Sequence, residues 1–154
     1  MDISYLLDRS AIAPRVSAAN KRQALSVVAE IAARSYGLKS STVLNGLVRR
    51  EALGSTGIGH GVATPHARLR GLDQMHGVFV RLETPIAFDA LDDRPVDLLF
   101  ALFSPTDSTS DHLQALAKVS RILRPAEMRA QLRHASSLDT IQALLTHGAQ
   151  PTAA

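Results

Sequence analysis

Apolar residues fall at helical spacing twice in the first third of the chain, after which the pattern shifts to short, nearly unbroken apolar runs. Over residues 17–36, Ala24, Val27, Val28 and Ile31 share one face, Ser17 offers a cap and Gly37 an ending. A second helix is predicted from Ser40 or Ser41, with Val43, Leu44, Leu47 and Val48 inward and Gly54 closing it. Residues 77–82 read as a short strand, and 96–103 as a longer one that is apolar at almost every position, as in a strand covered on both faces. Residues 84–88 fit a short strand or an arm, 92–95 a turn, and 104–110 a polar loop. Ser110 then caps a helix carrying Leu113, Leu116, Ala117 and Leu123 on one face. Pro125 opens another, and Ser137 caps a last one ending near Gly148. Residues 1–16 hold a short apolar patch (Ile3, Tyr5, Leu6, Leu7) followed by Pro14, and 150–154 read as a frayed tail.

Helix, helix, glycine-rich loop, strands and three more helices, with no internal repeat, indicate an α/β protein: one domain over 1–148, a sheet flanked by helices, and a tail over 149–154. At 154 residues the chain can bury a core without staples, and it has no cysteine, so disulfides and thiolate metal sites are out. No apolar run approaches the roughly 20 residues of a membrane span. Met1-Asp2-Ile3-Ser4 begins no basic-then-apolar leader, so a cytoplasmic protein is expected, not a membrane-embedded one. The net charge of +3 is a weak field, and no run of basic residues exceeds two, so nucleic acid is not the expected partner.

The densest local signal lies at 54–68. Gly54, Gly57, Gly59 and Gly61 imply sharp turning or close approach, and Thr64-Pro65 then presents His66 on a stiff arm, because proline fixes its own φ and holds the preceding residue extended. Exposed N–H groups beside a fixed imidazole suit a phosphate. By composition alone, the same glycines could equally be a tight turn and a helix end.

Of the six histidines, His60, His66, His76, His112, His134 and His147, only His66 is constrained from both sides. His112 lies in the expected first turn of a helix, where the dipole favours an anion and disfavours an imidazolium. A neutral imidazole is a nucleophile and a hydrogen-bond donor. With Arg50 added, His66 and His112 make a candidate phosphoryl-transfer site, in which the protein mainly positions and neutralises a loose transition state. A phosphoramidate donor makes a metal unnecessary, no pair of histidines has zincin spacing, and neither metal nor cofactor is expected. Arg49 and Arg50 also fit a solvated helix end, and a surface or core role remains the ordinary one for the other histidines. Ala33, Gly37 and Val43 have helix-turn-helix spacing, which would turn Ser41, Asn45, Arg49 and Arg50 outward. That DNA-binding reading leaves the glycine segment unexplained.

The run from Arg50-Glu51-Ala52-Leu53-Gly54-Ser55-Thr56-Gly57-Ile58-Gly59 to Thr64-Pro65-His66 closely resembles the active-site segment of the IIA phosphocarrier domains of the bacterial phosphotransferase system, mannitol/fructose type. The Gly-Ser-Thr-Gly-Ile-Gly stretch most resembles the free-standing nitrogen-regulatory branch. The likeness continues through residues 82–90 and 95–102 and His112-Leu113, covering roughly 3–147. It implies a mixed sheet flanked by helices, phosphorylation of His66 at Nε2 by a histidine-containing phosphocarrier protein, and His112 and Arg50 in the same site. Ser55, Thr56, Gly57, Gly59 and the Thr64 hydroxyl are the expected phosphate-side residues. Ala67-Arg68 stand where Gly-Lys is more usual, which retunes the surface without removing the nucleophile.

With no IIB or IIC portion on the chain, a regulatory role set by phosphorylation state is expected, linked to nitrogen or potassium, with a potassium transporter or sensor kinase among possible targets. The alternative is a sugar-specific IIA subunit that donates phosphate to a IIB protein.

Overall fold

After a short 3-10 turn at Arg9–Ala11, strand β1 (Ile12–Val16) opens the fold, an element the apolar pattern did not announce. It lies at the edge of the sheet, where Pro14 removes no ladder bond on the open side. The structure, a computed structural model, describes residues 3–151; Met1 and Asp2 of the leader reading and residues 152–154 of the expected tail lie outside it.

Helices α1 (Lys21–Tyr36) and α2 (Ser40–Ala52) follow. The cap of α1 is Asn20 and not Ser17. Asn20 Oδ1 accepts from the Gln23 N–H at 2.9 Å while Gln23 Oε1 accepts from the Ala19 N–H at 2.7 Å, so two donors at the helix start are satisfied reciprocally. Gly37 ends α1 in the left-handed conformation, as expected. Four strands come next to one another in sequence: β2 (Gly57–Gly59), β3 (Val62–Ala63), β4 (His66–Leu69) and β5 (His76–Ile86), which absorbs residues 84–86 of the short strand or arm predicted at 84–88. Strand β6 (Val96–Pro105) extends into the stretch expected to be loop, and α3 (Thr109–Leu123) has its N-cap at Ser108 and not at Ser110. Helices α4 (Ala126–His134) and α5 (Leu138–His147) complete the order, α5 capped by Ser137 as read from the sequence.

The sheet is mixed, in the order β1-β5-β6-β3-β2, with β4 also on β6. Strand β6 is its centre. It runs antiparallel to β5 and parallel to both β3 and β4, and Leu98 through Ser104 are buried whichever face they point to. Phe79 and Phe100 sit opposite each other on β5 and β6 with their rings edge-on at 6.4 Å. Helix α1 packs on β5, α2 on β4, α3 on β6 and α5 on β1, around one continuous apolar core. The predicted mixed sheet flanked by helices is the observed one. Gln150, expected in the frayed tail, is instead tied to Gln131 by two reciprocal bonds of 2.7 Å.

Two features aim the chain at the site. Val62, Ala63, His66 and Ala67 face Leu98, Leu99, Leu102 and Phe103 in unbroken step, so β3 and β4 are one strand interrupted only where Pro65 lacks an N–H. Gly46 lets α2 come down onto β4: a Cβ there would stand 3.0 Å from Ala67 Cβ and from Leu69 Cδ2. The segment read as an exposed loop is thus mostly sheet, with a hairpin turn at Gly59-His60-Gly61, where all three residues have positive φ.

Candidate active site

On β4 the side chains alternate. Ala67 and Leu69 are buried, while His66 and Arg68 share the other face. His66 opens into a cleft of ≈ 370 Å³ between the last turns of α2 and the start of α3, lined by Arg49, Arg50, Leu53, Arg68, His112 and Leu113 among others. The proximity of Arg50 to His66 in sequence becomes contact here, because α2 ends directly over β4.

The two nitrogens of His66 have distinct partners. Nδ1 lies 2.8 Å from the Thr64 carbonyl oxygen, which can only accept, so Nδ1 carries the proton. Nε2 is therefore the bare nitrogen, and it accepts from Arg50 Nε at 3.1 Å. Arg50 is anchored in turn by Nη1, which donates to the Gly54 carbonyl at 2.8 Å. The His112 ring stands 5.3 Å from that of His66, tilted by 58°. Its Nδ1 is 2.5 Å from the hydroxyl of Ser104, and both residues are buried.

Burial holds the His66 ring below the ordinary histidine range. Arg50 and Arg68 act in the same direction, and the Thr64 carbonyl and Glu51 carboxylate oppose them. His112 is pushed down to about 4, by burial first, then by repulsion from His66 whenever that ring is protonated and from Arg68. Both rings are therefore neutral at neutral pH. The helix N-terminus invoked from sequence is not the chief cause: His112 is the fourth residue of α3, with its N–H already bonded to the Ser108 carbonyl at 3.1 Å.

The structure brings His66, His112 and Arg50 together and keeps the other candidates out of the cleft lining. Ser55 Oγ donates to the Phe88 carbonyl at 2.6 Å and accepts from the Gly57 N–H at 3.0 Å. Thr56 bonds through both backbone N–H and hydroxyl to the Glu51 carboxylate, which also pairs with Lys21 at 2.8 Å. Gly57 and Gly59 pair with Ala63 and Val62 in the β2–β3 hairpin. Thr64 bears on His66 through its main chain: its N–H holds the Thr56 carbonyl at 2.9 Å and its carbonyl holds the imidazole. These residues build the platform under His66. Nor does α2 present the outward stripe of a helix-turn-helix reader, since Arg50 is half-buried and bonded to His66 while Arg49 lines the same cleft.

Sequence reasoning gave Arg68 only a retuning of the site's surface, and gave Ser104 no role. For Arg68 the signal was the two-residue period of a strand, which puts it on the face of His66. For Ser104 there was only a hydroxyl closing an apolar run. Two exposed leucines, Leu53 and Leu113, at 84% and 59% exposure, stand on the rim. Among the described residues no helix is long and apolar enough to cross a membrane.

The chain is similar to known proteins over nearly its whole length. The family model described as "Phosphoenolpyruvate-dependent sugar phosphotransferase system, EIIA 2" matches residues 5–148. The nitrogen regulatory protein of Klebsiella oxytoca is 42% identical over 148 residues, 95% of this chain and 91% of the relative. A fructose-specific EIIA component of Haloferax volcanii is 32% identical over 94% of both chains. The crystal structure of nitrogen regulatory protein IIA-Ntr from Neisseria meningitidis superimposes with a TM-score of 0.89 at 35% identity, covering 94% of this chain and 99% of that one.

Proposed function

Because the chain belongs to the EIIA 2 family of the phosphoenolpyruvate-dependent sugar phosphotransferase system, we propose that it carries a phosphoryl group on His66 Nε2, taken from a histidine-containing phosphocarrier protein, and regulates cytoplasmic partners by its phosphorylation state. The observation that carries this reading is the His66 tautomer: the proton sits on Nδ1 against Thr64 O, and the lone pair of Nε2 is left to Arg50, with both residues lining the cleft.

The transfer balances without a metal. Nε2 attacks phosphorus, the bond to the donor's ring nitrogen breaks, and its electron pair returns to the donor ring. No proton changes place. The His66 ring takes on positive charge, which the Thr64 carbonyl stabilises through the Nδ1–H bond. Arg50 leaves the lone pair and turns its N–H to the phosphoryl oxygens, and His112 supplies a neutral donor beside it.

Regulation follows from the rim. Phosphate brings about −1.5 to −2 charges to a face where exposed Leu53 and Leu113 stand beside Arg49 and Arg68, changing which partner can dock. The likeness to nitrogen regulatory proteins at 42% identity favours this role. Potassium transport proteins or a sensor kinase are the targets to try first. A second reading, a sugar-specific IIA subunit donating to a IIB protein, draws on the fructose-specific relative at 32% identity.

Intact mass after incubation with enzyme I, the phosphocarrier protein and phosphoenolpyruvate tests the carrier reading. An acid-labile gain of one phosphoryl group, absent in His66→Ala, is expected; no gain with several cognate carriers would sink it. Adding IIB proteins then separates the two roles, since only a sugar-specific subunit passes its phosphate on.

A further inference from the structure

Ser104 lies at the end of β6, level with Arg68 on β4, and is fully buried. Its hydroxyl makes one hydrogen bond among the described residues, the 2.5 Å contact to His112 Nδ1. A buried hydroxyl must place its proton on an acceptor or lose hydrogen-bonding free energy. If Nδ1 carried the ring proton, the ring would donate to Oγ and the serine proton would be stranded. If the serine donates, Nδ1 accepts, every group is satisfied, and the single proton of the neutral imidazole resides on Nε2. The ring that Ser104 holds from the inside is the one that lines the cleft beside His66. Nε2 leaves that ring in nearly the opposite direction from Nδ1.

We infer that Ser104 is a positioning residue that fixes His112 as the Nε2–H tautomer, so that the cleft receives an N–H donor for a phosphoryl oxygen on His66. The chemistry requires that choice. With the opposite tautomer His112 would turn a lone pair toward an anionic oxygen, and an attraction would become a repulsion. Burial and the neighbouring charges that keep His112 neutral make the choice of tautomer matter, because an imidazolium would donate from both nitrogens. His66 and His112 are thereby set in complementary forms: His66 protonated at Nδ1 with Nε2 bare to attack, His112 bare at Nδ1 with Nε2–H to stabilise. Two main-chain and side-chain oxygens, Thr64 O and Ser104 Oγ, impose the two forms.

The catalytic half of this inference rests on the carrier reading; the tautomer half does not. The test is nitrogen-15 NMR of histidine-labelled protein at neutral pH, with the His112 signals identified by their loss in His112→Gln, alongside the rate of phosphoryl acceptance. In the wild type His112 should show protonated Nε2 and bare Nδ1. Ser104→Ala should give a mixture of tautomers and slow acceptance by about tenfold, the scale of a single well-placed hydrogen bond. Ser104→Thr, which keeps the hydroxyl, should restore both. A wild-type His112 protonated at Nδ1 overturns the proposal without any variant having to fold. So does a folded Ser104→Ala that keeps both the Nε2–H tautomer and the wild-type rate. A wild type with the expected tautomer that never accepts phosphate removes the carrier reading, and with it the catalytic role given to Ser104.

Discussion

Arg50 Nε donates to His66 Nε2 across 3.1 Å, so the guanidinium occupies the one lone pair from which the imidazole can attack. Arg50 therefore covers that lone pair and depresses the ring's basicity, and on the proposed carrier reading it assists only once phosphorus arrives. Replacing it should separate the two effects. In Arg50→Gln the His66 pKa should rise, since a lowering charge is gone, while the rate of phosphoryl acceptance falls by about 100-fold through loss of a charged donor in the transition state. An NMR titration of His66 and the initial rate by intact mass check the pair. A pKa that rises with no loss of rate would leave Arg50 a shield alone.

Thr64 acts on His66 through its backbone carbonyl, and its side chain is buried away from the cleft lining. Thr64→Val should accept phosphate within about twofold of wild type, because the bond to His66 comes from the main-chain carbonyl and not from the side chain. A tenfold loss in a folded variant would return the hydroxyl to the chemistry.

The neutral buried His112 ties stability to pH. Its pKa is about 4 in the folded protein and 6.5 when unfolded, so between those values the unfolded chain binds more protons and stability rises with pH. Going the other way, stability begins to fall below pH 6.5 and this contribution is lost by about pH 4. The slope approaches about 1.4 kcal/mol per unit at most, and the total is about 3 kcal/mol. Denaturant melts from pH 7.5 to 4.5 should show this limb in the wild type and a shallower one in His112→Gln. Equal slopes would mean that His112 titrates normally.

Gly61 turns the β2–β3 hairpin at φ +80°, and a Cβ there would run into Arg133 Nη2 and stand 3.1 Å from Asp97 Oδ1. Arg133 is held by Asp97 and by the His60 carbonyl at 2.7 Å, so it has little room to yield. Gly61→Ala should cost about 2 kcal/mol of stability, by backbone strain and disturbance of that pair. Below its melting temperature it should still be phosphorylated. A thermal melt unchanged from wild type would contradict the account of the turn.

Leu53 and Leu113 stand exposed on the rim of the cleft. Leu53→Asp should raise the KM for the phosphocarrier protein by about tenfold, the size of a lost apolar anchor, without changing stability. Phosphorylation by a small donor such as phosphoramidate, which needs no docking face, should be unaffected. Equal losses with both donors would place Leu53 in the chemistry and not in docking.

Much of this was legible in the chain. The two N-terminal helices declared themselves by apolar period and by Gly37, and β6 by a short, nearly continuous apolar run of the kind a doubly covered strand shows. Proline before His66 marked the histidine, and His112 and Arg50 were named with it. Local signals misplaced caps, Ser17 for Asn20 and Ser110 for Ser108, because several polar residues near a helix start compete and the backbone decides among them. Strand β1 went unseen because its pattern is short and interrupted by Pro14, and only pairing with β5 makes it a strand.

The sequence by itself determined the family likeness and the layered α/β architecture, and it singled out His66 as the nucleophile to propose, since these rest on residue type, period and near neighbours. Only the tertiary structure decided what each polar atom does. Ser55, Thr56, Gly57 and Gly59 look like a phosphate cradle in a line of text, yet Ser55 is bonded to the Phe88 carbonyl, Thr56 to Glu51 of α2, and Gly57 and Gly59 pair within the β2–β3 hairpin. Arg68 and Ser104 are partners in register on β4 and β6, where Arg68 lines the cleft of the two histidines and Ser104 bonds His112. A hydrogen bond is fixed within a few tenths of an ångström and by direction, and sequence distance carries neither. The protonation form of each imidazole, and with it the chemistry, is therefore set by contacts that exist only once the sheet has closed.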